Sequence, residues 1–372
     1  MATESLKYHQ PQTHATRPRP VQASRFKIQP YRKAVQVGFL LLTLWIGLEF
    51  TLFVWQLQDG AIPTVQRPPG VEAFLPISAL ISLKYWLLTG IFNQVHPSAA
   101  VLLLIILVSA FFLKKGFCSW VCPVGLLSEY LARLNRMFRR GKTKRRKHAT
   151  PRGLPRWADY PLRGIKYLLL AFFLWAVLVQ MDVITLEKFI YSPYNRVADI
   201  KMWAFFAEPS ALTLYVLGAL VFLSVVVPYF WCRYLCPYGA LLGAVSLVSP
   251  WQIRRNRATC TDCGKCSKVC PARIQVHTAR WVASDECHAC LKCVDACPVK
   301  DTLYLALPAH KAKMPRLAYA ALIVLLFLLG TSAARLAGYW HNRISGEEYL
   351  RHMQQLDSPV YQHNRGEVPE YE

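Results

Sequence analysis

The chain has 372 residues, 54% of them hydrophobic, and 44 Lys and Arg against 21 Asp and Glu give a formal charge of +23. The apolar residues fall in long uncharged blocks and the basic ones in separate clusters. That segregation belongs to a multi-span membrane protein with basic loops, not to a soluble domain or a nucleic-acid binder.

In chain order, residues 1–33 are polar and rich in Pro and Arg, which predicts a disordered basic arm on the cytoplasmic side and no cleaved signal peptide. Five blocks then approach the ~20 apolar residues that a bilayer requires: 35–55, 97–113, 165–181, 211–229 and 316–336. None alternates as a barrel strand would, so the prediction is spanning helices. The block 71–92 is also apolar but carries Glu72, Pro76 and Lys84. Basic clusters before the first span and across 133–163 both belong on the cytoplasmic side. An even number of crossings must separate them, so 71–92 reads as a periplasmic-side interfacial or re-entrant segment.

The expected fold is an all-α integral membrane protein with about five transmembrane helices and a ferredoxin-like (α+β) segment between the fourth and fifth. Its parts would be the arm (1–33), a four-span membrane domain (34–257), the ferredoxin-like segment (258–300), a linker and fifth span (301–338), and a short periplasmic tail (339–372). Such a chain is multi-pass in a bacterial inner (cytoplasmic) membrane, with the N-terminus and ferredoxin segment cytoplasmic and the C-terminus periplasmic.

The chain contains twelve cysteines, in runs that do not read as a secreted disulfide framework. The stretches "CTDCGKCSKVCP" and "CHACLKCVDACP" are each C-x2-C-x2-C-x3-C-P. This is the bacterial two-cluster [4Fe–4S] pattern, in which the fourth cysteine of each run ligates the other cluster. Cluster one would take Cys260, Cys263, Cys266 and Cys297; cluster two would take Cys287, Cys290, Cys293 and Cys270. Three thiolates on a tight loop reach three corners of a cube, and the fourth corner needs a distant residue. Zinc is the rival, but its usual spacings do not produce this run twice. So short a segment cannot bury a sufficient core alone, and bound clusters would supply its stability.

Two further pairs, Cys118/Cys122 in "GFCSWVCPVG" and Cys232/Cys236 in "YFWCRYLCPYG", follow apolar blocks. Two crossings separate them, which puts both on the ferredoxin face. Three readings stand: one shared metal or iron–sulfur site, redox-active thiols or a copper site, or small buried cysteines that let helices pack.

Other residues carry weaker signals. Glu49 lies within the first span, where a carboxylate is a functional candidate by default, here a proton acceptor near a quinol. His96 reads as a cap or interfacial residue, and His288 as a tuner of the second cluster through hydrogen bonds. His341 and His363 lack ligand spacing. Trp45, Trp55, Tyr229, Trp231, Tyr339 and Trp340 fit an interfacial belt. The sequence contains no phosphate loop, dinucleotide fingerprint or nucleophile triad.

The C-x3-C-P motifs followed by a two-cluster segment resemble the NapH/NosR-type membrane polyferredoxins over roughly residues 36–300, with similarity extending to CcoG-type proteins. This chain differs in having a fifth predicted span, no flavin-binding periplasmic domain before the spans, and a short tail. The resemblance implies transfer of electrons from membrane quinol toward respiratory or reductive partners, as an electron-transfer component or quinol dehydrogenase subunit. The expected partners are the lipid bilayer, quinone or quinol and a partner redox protein, with no nucleic acid. A copper or metal reductase, or a metal-handling assembly factor using the C-x3-C-P cysteines, is the alternative.

Overall fold

The computed structural model describes residues 26–140, 154–308 and 312–361. The body of the predicted arm and His363 lie outside them. The chain is mostly helical. α1 (Gln29–Gln58) opens with a proline in its first turn, where the fixed φ suits a helix start, so residues 29–33 are helix rather than arm. Leu41, Leu44, Trp45, Leu48, Leu52 and Trp55 stand exposed along α1 at helical spacing, an apolar stripe suited to lipid.

A 3₁₀ turn (Pro69–Phe74) leads into α2 (Pro76–Thr89), whose 14 residues stop at Gly90 in a left-handed cap. At 1.5 Å per residue α2 rises about 21 Å, short of the ~30 Å of hydrocarbon. α3 (Pro97–Leu113) lies beside it. Then come the short α4 (Gly116–Trp120) and the amphipathic α5 (Pro123–Arg140).

α6 (Arg156–Trp175) continues into a π turn at Ala176–Gln180. Lys84 of α2 donates to the carbonyls this turn releases, at 3.0 Å to Val177 and 3.2 Å to Leu178, and to Met181 as well. A cation at a helix C-terminus is favourable, which accounts for a lysine in an apolar block. α7 (Val183–Tyr191), α8 (Pro193–Arg196) and α9 (Ala198–Ala207) precede α10 (Ala211–Val226), which departs from α9 at 77°. α11 (Pro237–Leu247) is the last helix before the cysteine-rich unit.

By length and composition α1, the α6 run and α14 (Arg316–Leu336) can each cross a membrane, and the bent α9–α10 pair makes up to four. The sequence expectation of five is therefore not met by length alone. α3 has 17 residues, and the block 211–229 stops being helix at Val226.

Between α11 and α14 lies a small α+β unit: β1 (Gln252–Arg255), α12 (Lys265–Lys268), α13 (Lys292–Ala296), β2 (Leu303–Ala306) and β3 (Lys313–Met314). The antiparallel sheet is ordered β1-β2-β3, with Ile253 opposite Leu305 and Leu305 opposite Met314. β1 and β2 bracket both cysteine runs, so the unit extends beyond 258–300. α15 (Gly346–Gln354) packs against α1, and its Tyr349 meets Phe53 edge-on.

The unit does not hang on a tether. One hydrophobic core runs from Ile105 and Ile106 of α3 through Trp120, Tyr319 and Ile323 into Ile253, Val282, Leu291 and Leu305. Buried charges reinforce it. Asp295 accepts from the amides of Ile28 (2.9 Å) and Gln29 (3.1 Å) at the start of α1, where a carboxylate is favoured, and from Arg316 (3.1 Å). Glu129 of α5 pairs with Arg32 and Lys292, each at 2.9 Å, and Glu286 pairs with Lys166.

Candidate iron–sulfur sites

In the α+β unit, two cavities are lined by the two sets of cysteines. One is bordered by Cys260, Cys263, Cys266 and Cys297, the other by Cys287, Cys290, Cys293 and Cys270. The two loops share a backbone device. The residue before the second cysteine (Asp262, φ 47°; Ala289, φ 46°) and the residue after it (Gly264, φ 66°; Leu291, φ 57°) are left-handed in both copies. For a non-glycine residue this costs about 1–3 kcal/mol and turns amide N–H groups into a concavity that binds anions, iron–sulfur clusters among them. Arg255, buried on β1, donates to Cys260 Sγ at 3.3 Å and to Asp262 at 2.9 Å.

Burial pushes the Cys270 thiol up to about 12 and raises Cys266, Cys287 and Cys297 in the same direction. As thiols they are protonated at neutral pH, so binding iron there would release protons. Among the described residues, no three His, Cys, Asp or Glu side chains converge on one ion position. Sulfurs ringing a cavity suit a cube with separate iron corners better than one zinc at about 2.3 Å from each sulfur.

The C-x3-C-P pairs come together as well. Cys118 lies within electrostatic reach of Cys122, Cys232 and Cys236, and Ser128, six residues past Cys122, meets Cys232 Sγ at 3.4 Å. The two copies are built alike. The second cysteine's amide donates five residues back, Cys122 to Phe117 and Cys236 to Trp231, both at 2.9 Å, a widened π-type turn of the kind found at functional sites. Its sulfur then caps the next helix. The amides of Val124 and Gly125 face Cys122, and those of Tyr238 and Gly239 face Cys236, with Gly239 N at 3.2 Å. Each capping helix packs on the long helix of the other copy: α5 on α10, and α11 on α3. The loop of Cys118 also touches the second ferredoxin loop. Ser119 Oγ donates to the His288 carbonyl at 2.7 Å, and Trp120 Nε1 to that of Ala289 at 3.2 Å.

The comparisons agree with this geometry. A family profile described as a 4Fe-4S binding domain matches residues 95–146 and 210–256, and one described as a 4Fe-4S dicluster domain matches 252–298. YccM of Escherichia coli (strain K12), which carries a provisional electron-transport name, is 42% identical over 328 residues, 86% of this chain and 89% of its own. The chain belongs to the NapH/NosR-type membrane polyferredoxins. The ferredoxin-type protein NapH of Haemophilus influenzae is 28% identical to this polyferredoxin over 53% of the chain and 64% of its own length. The regulatory protein NosR of Pseudomonas aeruginosa is 26% identical over 54% and 27%. No solved structure matches. The polyferredoxin is thus an iron–sulfur electron-transport protein of the membrane.

The other singled-out residues fall in different places. Glu49 is half-buried on α1. His96 sits at the start of α3 but faces inward: its Nε2 is 2.6 Å from the Asn195 carbonyl and its Nδ1 3.3 Å from Glu72. Glu72 in turn binds Arg67 at 2.7 Å and the Ala99 amide at 2.8 Å, a buried network that joins the Pro69–Phe74 turn to α3. His288 lines the second cavity, where burial, with Lys115 and Lys166 nearby, holds its imidazole neutral. His341 is exposed. In the aromatic belt Trp45 and Trp55 are exposed, whereas Trp340 is buried. Sequence reasoning missed Ser119, Ser128 and Lys115. Lys115 is the second of two adjacent lysines after the 97–113 apolar block, and nothing local in the sequence marks it out.

Proposed function

We propose that this polyferredoxin moves single electrons between the quinol pool and a partner redox protein, using three [4Fe–4S] centres at the cytoplasmic face. Cys260, Cys263, Cys266 and Cys297 would hold the first, Cys287, Cys290, Cys293 and Cys270 the second, and Cys118, Cys122, Cys232 and Cys236 a shared third. When bound, such clusters supply reversible one-electron chemistry. The chain's part is placement. Arg255 faces the first sulfurs, while Val124, Gly125, Tyr238 and Gly239 turn amides toward the shared ones. Glu49 would accept a proton from quinol. It lies thirteen residues along α1 from Gln36, which donates to the Ser119 carbonyl, so it stands about 20 Å from that level and serves the proton only.

The observation that carries this reading is the meeting of both C-x3-C-P pairs at one place hydrogen-bonded to the second ferredoxin loop. Five crossings, with the basic loops inside, fit the charge distribution. Protein purified without oxygen should contain about twelve iron atoms and as many sulfides, falling to about eight in Cys118→Ser/Cys232→Ser. An unchanged count removes the shared centre. Rapid mixing with a reduced quinol analogue should bleach the clusters, and no bleaching removes the quinol.

A further inference from the structure

Three lysines are buried where the membrane helices meet the α+β unit: Lys114, Lys115 and Lys166. Two have acceptors. Lys114 Nζ donates to the Val282 carbonyl at 3.3 Å, and Lys166 Nζ is bound to Glu286. Lys115 Nζ, on a residue 1% exposed, has no hydrogen-bond partner among the described residues. A buried ammonium without a hydrogen-bond acceptor is too costly to persist as a packing accident.

Its surroundings name the missing anion. On one side its field reaches Cys118, Cys232 and Cys236; on the other it reaches Cys287, His288 and Glu286. Glu286 lies within its field but is hydrogen-bonded to Lys166, so that carboxylate is shared by two ammoniums, and neutral thiols offer nothing to balance the second. Four thiolates around an iron–sulfur cube carry net negative charge, and at Cys118, Cys232 and Cys236 that charge would lie within the field of this ammonium.

We propose that Lys115 is the charge-compensating residue of the shared cysteine centre, setting its reduction potential and, more weakly, that of the neighbouring second cluster. The inference rests on the reading that Cys118, Cys122, Cys232 and Cys236 hold one centre. One-electron reduction adds one negative charge there and takes up no proton, so a fixed cation beside it favours the reduced form. The first cluster is an internal control. The charged groups acting most on Cys266 and Cys297 are the cysteines of their own cavity, not Lys115.

The test uses the full chain with Lys115→Met and Lys115→Arg, measuring iron, sulfide and the midpoint of each centre by EPR-monitored redox titration. Lys115→Met should keep its iron and disfavour reduction of the shared centre tenfold or more, at least ~59 mV for a one-electron couple. The second cluster should shift less and the first not at all, with Lys115→Arg close to wild type. Loss of the shared centre's iron in Lys115→Met but not in Lys115→Arg would equally support a requirement for the charge. Full iron with every midpoint unmoved in Lys115→Met overturns the inference, as does failure of both variants together. Wild-type protein with only about eight iron atoms overturns the shared centre itself, and the inference with it.

Discussion

The two C-P-x-G motifs look interchangeable in sequence, yet their glycines face different demands. A Cβ on Gly125 would stand 2.0 Å from the Cys118 carbonyl oxygen, whereas one on Gly239 would meet nothing nearer than Cys236 Sγ at 3.4 Å. Carbon and carbonyl oxygen ordinarily approach no closer than about 3.3 Å, so Gly125→Ala creates an overlap of more than an ångström. The obstacle is backbone and cannot be relieved by a rotamer change; α4 or the start of α5 must move. Overpacking of this kind costs about 1–3 kcal/mol, and the helix propensity of alanine returns at most about 1 kcal/mol. Gly125→Ala should therefore destabilise by about 1–2 kcal/mol and displace Cys118, while Gly239→Ala should be neutral or slightly stabilising. Iron per chain together with thermal unfolding in detergent reads both effects. Equal behaviour of the two variants, or full iron and an unchanged melt in Gly125→Ala, would refute the close approach.

Two further outcomes follow from the charges that join the halves. Glu129→Gln leaves Arg32, 1% exposed, facing a neutral amide, and should cost about 3–5 kcal/mol of stability; a melt within a degree of wild type would show the pair to be dispensable. Burial alone would push Glu129 up, but Lys292 and Arg32 hold its carboxyl well below the usual range. A depressed carboxylate contributes fully above its unfolded pKa of ~4 and loses that contribution as pH falls toward the folded value. The melting temperature should thus be flat down to about pH 5 and fall below about pH 4, whereas a decline starting near pH 6–7 would point to histidines instead.

The ferredoxin segment was legible because cysteine spacing is a local property, written within a few residues of each cysteine. Its backbone was only partly so: Gly264 advertises a left-handed residue, but Asp262, Ala289 and Leu291 take the same conformation with no sequence mark. Apolarity marked the spans but not where helices stop. The 97–113 block ends after 17 residues, and the 211–229 block breaks from α9 at 77° near Pro209. Lys84 argued against a span, yet what it does is gather carbonyls from a π turn nearly a hundred residues away. Such a partner depends on tertiary packing and cannot be read from local pattern.

The proposed shared centre would give the duplication of the cysteine motif a physical reason that neither copy reveals alone. Each copy brings two sulfurs and one helix cap, too few to enclose a four-cornered anion. α5 rests on α10 and α11 on α3, so each capping helix is held by the other copy's long helix, and Ser128 reaches Cys232 across the join. The same join abuts His288 and Ala289 through Ser119 and Trp120 within one continuous core. The separation between the membrane cysteines and the ferredoxin cavities is therefore set by packed side chains rather than by a linker, as electron exchange between fixed centres requires.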